Sequence, residues 1–361
     1  MRLNLDFEVE AVSRLNAVFP MQLLQSPPRR AGTLAVLLTA LAALFPAGAP
    51  AAENTIMSQH SRSVQRIAYK GWPDSLLISN GLVEAVVVPA IGRVMQLRFA
   101  GESDGPFWEN PPPAAGDATL DANVWANFGG DKAWPAPQAD WGRIAGRGWP
   151  PPPAFDGRPM DAAIVGPASV TLLSPVDEKF GVRVRRRIEL APDKPVMTIT
   201  TAYEKTAGPP VEIAVWVITQ LKDPLLAGAP LAGPSGTGAE FVLQSGSRPA
   251  GLNVADGILS LTRDPRQNHK IGMRAATLVW VGAAELLRID SAIVPGAPYT
   301  DDGCNAEIYT NADPLPYVEL EMLGPLARLA DGGKIEHSST YALERRTGID
   351  AALEIGRILK R

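Results

Sequence analysis

Between about residue 82 and residue 343 the chain alternates apolar and polar positions in short runs, each bounded by glycine, proline, asparagine or aspartate. A period of two with β-branched enrichment is the signature of half-buried strands. The pattern predicts strands at Leu82–Val88, Arg93–Phe99, Ala168–Leu173, Val182–Leu190, Val196–Glu204, Val211–Leu221 and Phe241–Gln244. It continues through Ile258–Thr262, Ala276–Gly282, Leu286–Asp290, Ala306–Thr310, Tyr317–Leu323 and Glu336–Leu343. Closely spaced runs, as around Leu190-Ala191-Pro192-Asp193-Lys194, read as hairpins. No stretch of helical period separates the strands, which disfavours a parallel α/β sheet and points to an all-β architecture. One amphipathic helix is predicted in the tail, Ile349–Leu359, with Asp350 near its start.

One segment breaks the rhythm. Ser103–Met160 is rich in proline and glycine, has little strand character, and holds five of the eight tryptophans: Trp108, Trp125, Trp134, Trp141 and Trp149. A loop of that length in a compact domain is usually functional or disordered, and tryptophan density argues against disorder. The rings either pack the loop onto a sheet or offer a stacking surface for the C–H faces of sugar rings.

Composition narrows the partners. The chain has 361 residues and a formal net charge of −4, and its basic residues cluster only at Arg185-Arg186-Arg187, so nucleic acid is not expected as a partner. The 33 glycines and 34 prolines suit a turn-rich β protein. Arg29-Arg30, the apolar run Thr33–Phe45 and Ala49-Pro50-Ala51 together read as a secretory signal. The run is shorter than the roughly 20 residues of a spanning helix, so cleavage, a periplasmic or secreted product and no lasting membrane anchor are expected. Residues before Met21 fit neither role, and either Met1 or Met21 could be the start. The expected division is a leader over 1–51, a linker over 52–71, one β domain over 72–345 and the terminal helix over 346–361. Cys304 is the sole cysteine, so no disulfide forms within the chain, and a small structural thiol is expected.

Several side chains could carry chemistry. In Tyr317–Leu323, Glu319 and Glu321 share one strand face, roughly 7 Å apart at about 3.3 Å per residue. On a dry, concave face each would raise the other's pKa and suit a general base; on a wet face they would be ordinary surface charges. Arg186 points with Val182, Val184, Ile188 and Leu190, so its guanidinium needs a carboxylate partner or a ligand. Glu212, Ala214, Trp216, Ile218 and Gln220 share another face, which combines a ring with hydrogen-bonding groups. His269, in a polar-flanked stretch, could be a loop residue or a proton donor. No grouping has metal-ligand spacing and no nucleotide fingerprint occurs, so no cofactor or metal is expected.

Three stretches carry a family resemblance: Asn80–Glu84 through Val88–Val94, Asn127–Gln138, and Tyr317–Pro325 with Leu329–Gly333 and Tyr341–Leu343. From about Leu76 to Leu343 the chain resembles the galactose mutarotase-like superfamily, and within it an uncharacterised bacterial family. The middle stretch, Asn127-Phe128-Gly129-Gly130-Asp131-Lys132-Ala133-Trp134-Pro135-Ala136-Pro137-Gln138, is similar to the R-G-G…W-P segment of hexose-6-phosphate epimerases. The resemblance implies a β-supersandwich of two large antiparallel sheets with a sugar site on a concave face. It places Glu321 where mutarotases hold their general base. Gln220 stands where they hold a general-acid histidine, and an amide cannot deliver a proton near neutral pH. Phe128 stands where the epimerases hold a sugar-phosphate arginine, which disfavours phosphorylated sugars.

The expectation is an exported protein that binds a sugar or oligosaccharide. Asn127, Asp131, Lys132, Trp134, Gln138, Arg186, Gln220 and Glu319 would line the site around Glu321, with the stretch Gly129–Gln138 closing over it as a roof. An aldose 1-epimerase-like isomerase with Glu321 as base and His269 or Lys132 as acid is the alternative, and a structural or interaction module on the same scaffold is a third.

Overall fold

Period-two alternation resolves into strands whose apolar faces meet between two sheets. The structure is a computed structural model that describes residues 61–111, 125–245, 247–348 and 350–359. The leader read over residues 1–51 lies outside the described residues. In spatial order the first sheet runs β1 (Ser63–Tyr69), β2 (Trp72–Ser79), β3 (Val83–Val88), β4 (Arg93–Phe99), β5 (Asp131–Ala136), β10 (Val211–Lys222), β19 (Tyr317–Leu323), β18 (Ala306–Thr310), β15 (His269–Met273) and β12 (Phe241–Ser245). A short eleventh strand, β20 (Ala327–Leu329), pairs with the start of β10. The second sheet has ten strands: β13 (Leu252–Ala255), β14 (Ile258–Leu261), β11 (Leu226–Pro230), β16 (Thr277–Val281), β17 (Glu285–Asp290), β21 (Lys334–Arg345), β9 (Val196–Lys205), β8 (Val182–Leu190), β7 (Ser169–Asp177) and β6 (Asp161–Gly166). All pairings are antiparallel, as the all-β, β-supersandwich expectation requires. The tail helix α2 (Ala351–Leu359) docks Ile355 and Ile358 onto Val279, Val281 and Leu286.

Two departures from the sequence pattern matter. Ser63–Tyr69, read as linker, is the edge strand β1. Asp131–Ala136, read as part of a long loop, is a strand near the middle of the first sheet, paired along its length with β10 from Thr219↔Asp131 to Ala214↔Ala136. Its residues have poor strand propensity, and Pro135 lacks a donor. The proline is tolerated because its carbonyl points away from β10 to the indole N–H of Trp141, 2.7 Å away, in the short helix α1 (Trp141–Ala145). Gly129 and Gly130 make the entry to β5 possible: both have positive φ, 86° and 74°. A Cβ on Gly129 would stand 2.2 Å from the Trp108 carbonyl, and one on Gly130 2.6 Å from that of Val94.

Between the sheets, charge is met by charge. Arg186, from β8, ion-pairs with Asp131 of β5 and donates to the carbonyls of Asp131 (3.0 Å) and Gly92 (3.1 Å). The other carboxylate oxygen of Asp131 accepts from Thr219 Oγ1 (2.7 Å) and from the Tyr341 hydroxyl (2.6 Å). Elsewhere in the second sheet His337 is buried beside Ser291, with Nε2 3.0 Å from Oγ.

Burial disfavours the imidazolium and pulls His337 down to about 4 from the ordinary 6.5. The unfolded chain therefore takes up this proton first, and stability falls as pH drops from about 6.5 to about 4. His337 contributes up to about 1.4 kcal/mol per pH unit in that window. Urea unfolding of wild type and His337→Gln across it should show the wild type losing more stability than the variant; parallel curves would contradict the assignment.

Candidate functional site

Register decides which side chains meet. Trp216 and Trp134 are paired, as are Ile218 and Lys132, so these four share a face of the first sheet. Ile218 also pairs with Glu321, Gln220 with Glu319, Glu307 with Glu321, Tyr309 with Glu319 and Lys270 with Tyr309. One face, the side away from the second sheet, thus carries Lys132, Trp134, Trp216, Gln220, Lys270, Glu307, Tyr309, Glu319 and Glu321 in adjoining positions across five strands.

Charges here are paired but not exhausted. Lys270 Nζ lies 2.7 Å from Glu307 Oε2, 3.0 Å from Glu321 Oε2 and 4.4 Å from the ring centre of Trp216. Glu321 Oε2 also accepts the indole N–H of Trp216 at 2.6 Å, and Gln244 Nε2 donates to Glu307 Oε1 at 2.8 Å. Burial, then the nearby Glu307 and Glu319 carboxylates, push Glu321 well above the usual carboxylate range, with Lys270 opposing. Burial works against the Lys270 ammonium, but Glu307 and Glu321 outweigh it and hold the group above its ordinary value. One cation thus serves two carboxyls.

Lys132 is enclosed by rings. Its Nζ sits 4.6 Å from the ring centre of Trp134, 5.9 Å from that of Trp125 and 3.4 Å from Glu319 Oε1. Trp134 in turn meets Trp216 (5.4 Å), Trp149 (5.8 Å), Trp141 (5.6 Å) and Trp125 (6.2 Å), all edge to face. Asp156 ties this wall down: it accepts the indole N–H of Trp125 (3.0 Å) and Trp134 (2.8 Å) and pairs with Arg93 at 2.7 Å. Burial opposes the Asp156 charge, but Arg93 and Lys132 hold it below the usual range. At the other end of the face Trp108 stacks on Tyr317 at 4.7 Å.

Gln220 stands apart in this network. It is 1% exposed, yet both its amide nitrogen and its amide oxygen lack a hydrogen-bond partner among the described residues. The ambiguity of amide orientation does not matter, since both atoms are unmet. Each buried, unmet polar atom costs about 1–3 kcal/mol.

The structure brings Lys132, Trp134, Gln220, Glu319 and Glu321 together. It sends others elsewhere. Asp131 and Arg186 belong to the interior between the sheets, because Asp131 alternates with Lys132 along β5 and Arg186 comes from the second sheet. They form the structural ion pair that the apolar neighbours of Arg186 suggested as one option. His269 is paired with Thr310, one position out of phase with Lys270, and so points to the opposite face from Glu321; it cannot act as acid there. Its Nε2 lies 3.5 Å from Asp264. Asn127 is half-buried in the segment leading into β5, its Oδ1 without a hydrogen-bond partner among the described residues, and Gln138 is a partly exposed residue of the 3-10 turn after β5. The stretch Gly129–Gln138 is not a roof: it is chiefly β5 itself, lying in the plane of the sheet two strands from β19. The tryptophans around Trp134 form a side wall instead.

Lys270, Glu307, Arg93 and Asp156 were not singled out in the sequence. Glu307 and Tyr309 alternate with Ala306, Ile308 and Thr310 in a strand the pattern did predict, and that was the available signal. Lys270 had none, because its strand carries His269, Gly272 and a charge in place of an apolar run.

Among solved structures the fold is that of galactose mutarotase-like proteins. A galactose mutarotase-like protein from Clostridium acetobutylicum aligns with a TM-score of 0.53 at 9% identity, over 79% of this chain and 99% of its own. One from Lactobacillus casei gives 0.51 at 12% identity, over 75% of this chain and 100% of its own. A candidate aldose 1-epimerase from Escherichia coli K12 gives 0.50 at 12% identity, over 75% and 98%. No family model and no curated protein matches the sequence. At such identities the likeness establishes the fold. Among the described residues no group of side chains has the makings of a metal site, and no helix is long and apolar enough to cross a membrane.

Removing the shared cation should be costly. Lys270→Met leaves two buried carboxyls without a counter-charge and is expected to cost about 3–5 kcal/mol in denaturant unfolding. Adding Glu307→Gln should recover part of that loss, and strictly additive losses would contradict the network.

Proposed function

We propose that this chain binds a saccharide on the Lys132–Gln220–Glu321 face of the first sheet. The observation that carries the reading is the Gln220 amide, buried with both polar atoms unmet among the described residues, across the strand pair from Glu319. A sugar hydroxyl both donates and accepts and can satisfy either atom, while the flanking indoles offer apolar area to C–H faces. The fold it shares with mutarotase-like proteins supports the same class of ligand. Export to the periplasm or medium is part of this proposal and rests on the leader pattern of residues 29–51.

Thermal shift and calorimetry with a panel of neutral mono- and oligosaccharides test it. At least one should raise the melting temperature, and Gln220→Leu should weaken its binding tenfold or more, about 1.4 kcal/mol. Silence across the panel, or equal binding by Gln220→Leu, would count against the site.

A second reading is favoured by the raised pKa of Glu321. Aldose 1-epimerisation needs one group to take the proton of the anomeric hydroxyl and another to protonate the ring oxygen as its bond to C1 breaks. Glu321 would be the base. With His269 on the other face, Lys132 is the remaining acid from the sequence. Polarimetry on fresh α-sugars should show wild type accelerating mutarotation and Glu321→Gln failing to; equal rates would remove this reading.

A further inference from the structure

A cleft lies at the start of β10, toward the other end of that strand from Gln220. Of about 390 Å³, it opens where the start of β10, β20, α1 and the turns β7–β8 and β9–β10 converge. That volume is within the roughly 300–1,000 Å³ of ligand pockets. Glu212 lies in it and Gln220 in the proposed saccharide face, eight residues on along one strand, which is about 26 Å at the strand rise. Trp141, in α1, packs on Trp134 of the tryptophan wall, while Arg143 two residues later lines the cleft.

Its charge is uneven. Arg143, Lys179 and Arg328 line it against one carboxylate, Glu212. Arg143 is held by Asp140, at 2.8 Å. Lys179 and Arg328 have no ion-pair partner among the described residues, although Arg328 sits directly across the strand pair from Glu212. Its apolar lining is stiff: the consecutive, exposed Pro209 and Pro210 lie beside the buried ring of Phe180. Proline rings lose little entropy on binding and present C–H surface.

We propose that this cleft binds an acidic saccharide, its carboxylate or sulfate held by Lys179 and Arg328 and its ring lying on Pro209 and Pro210, with Glu212 accepting a hydroxyl. Guanidinium and ammonium groups without internal partners are free to meet an anion, and two of them fix its position better than one. The saccharide part rests on the function proposed above; the anion part rests on the cleft alone.

Calorimetry at low salt with a galacturonic acid trimer, a galactose trimer and sodium sulfate separates the two. The acidic trimer should bind wild type, weaken at least tenfold in Lys179→Gln/Arg328→Gln and weaken with added salt. Absence of binding, or equal binding by the double variant, would overturn the cleft. Sulfate or the neutral trimer binding there as tightly as the acidic trimer would overturn the acidic saccharide as its ligand. Loss of neutral-sugar binding in Gln220→Leu reads the other site independently, so either proposal can fail alone.

Discussion

Asp131 carries a full charge into the space between the two sheets, and the placement of the surrounding strands follows from how that charge is met. An unpaired carboxylate there would be prohibitively costly. Arg186 crosses from the second sheet to pair with it, while Thr219 and Tyr341 fill the remaining acceptor positions. The four donors and acceptors come from β5, β8, β10 and β21, so the pair ties both sheets together at one level. It also sets the phase of β5. With Asp131 pointing inward, its neighbours Lys132 and, two residues further, Trp134 must point to the other side.

That phase is what assembles the polar face. Lys132 arrives beside Ile218, Trp134 beside Trp216, and the acidic residues of β18 and β19 complete the row. Most positions on both faces of β10 and β19 are then buried, with Glu319 partly open on the outer one. In such surroundings burial penalises charge and raises the pKa of a carboxyl such as Glu321, whereas a neutral amide has no such escape. Gln220 is therefore a place on this face where, among the described residues, both polar atoms of an amide stay unmet.

The strands with strong alternation were legible in the sequence, several of them to the residue: Arg93–Phe99, Val182–Leu190, Ala306–Thr310 and Tyr317–Leu323 coincide with β4, β8, β18 and β19. Glu319 and Glu321 were legible as face-mates for the same reason. β5 was not. Its aspartate, lysine, alanines and proline lack strand propensity, and it is a strand only because β10 pairs with it and Asp131 finds Arg186. Mistaking it for a loop placed Asp131 and Lys132 together in one site, when alternation along a strand parts them. His269 fell on the wrong face for the same reason, because β15 was not recognised and its phase could not be set.

The most direct measurement is a crystal structure of the protein with a sugar drawn from those that stabilise it. The account predicts sugar hydroxyls within about 3 Å of the Gln220 amide and an indole of the Trp134–Trp216 pair against the ring. A sugar bound elsewhere, with ordered water alone satisfying Gln220, would contradict it.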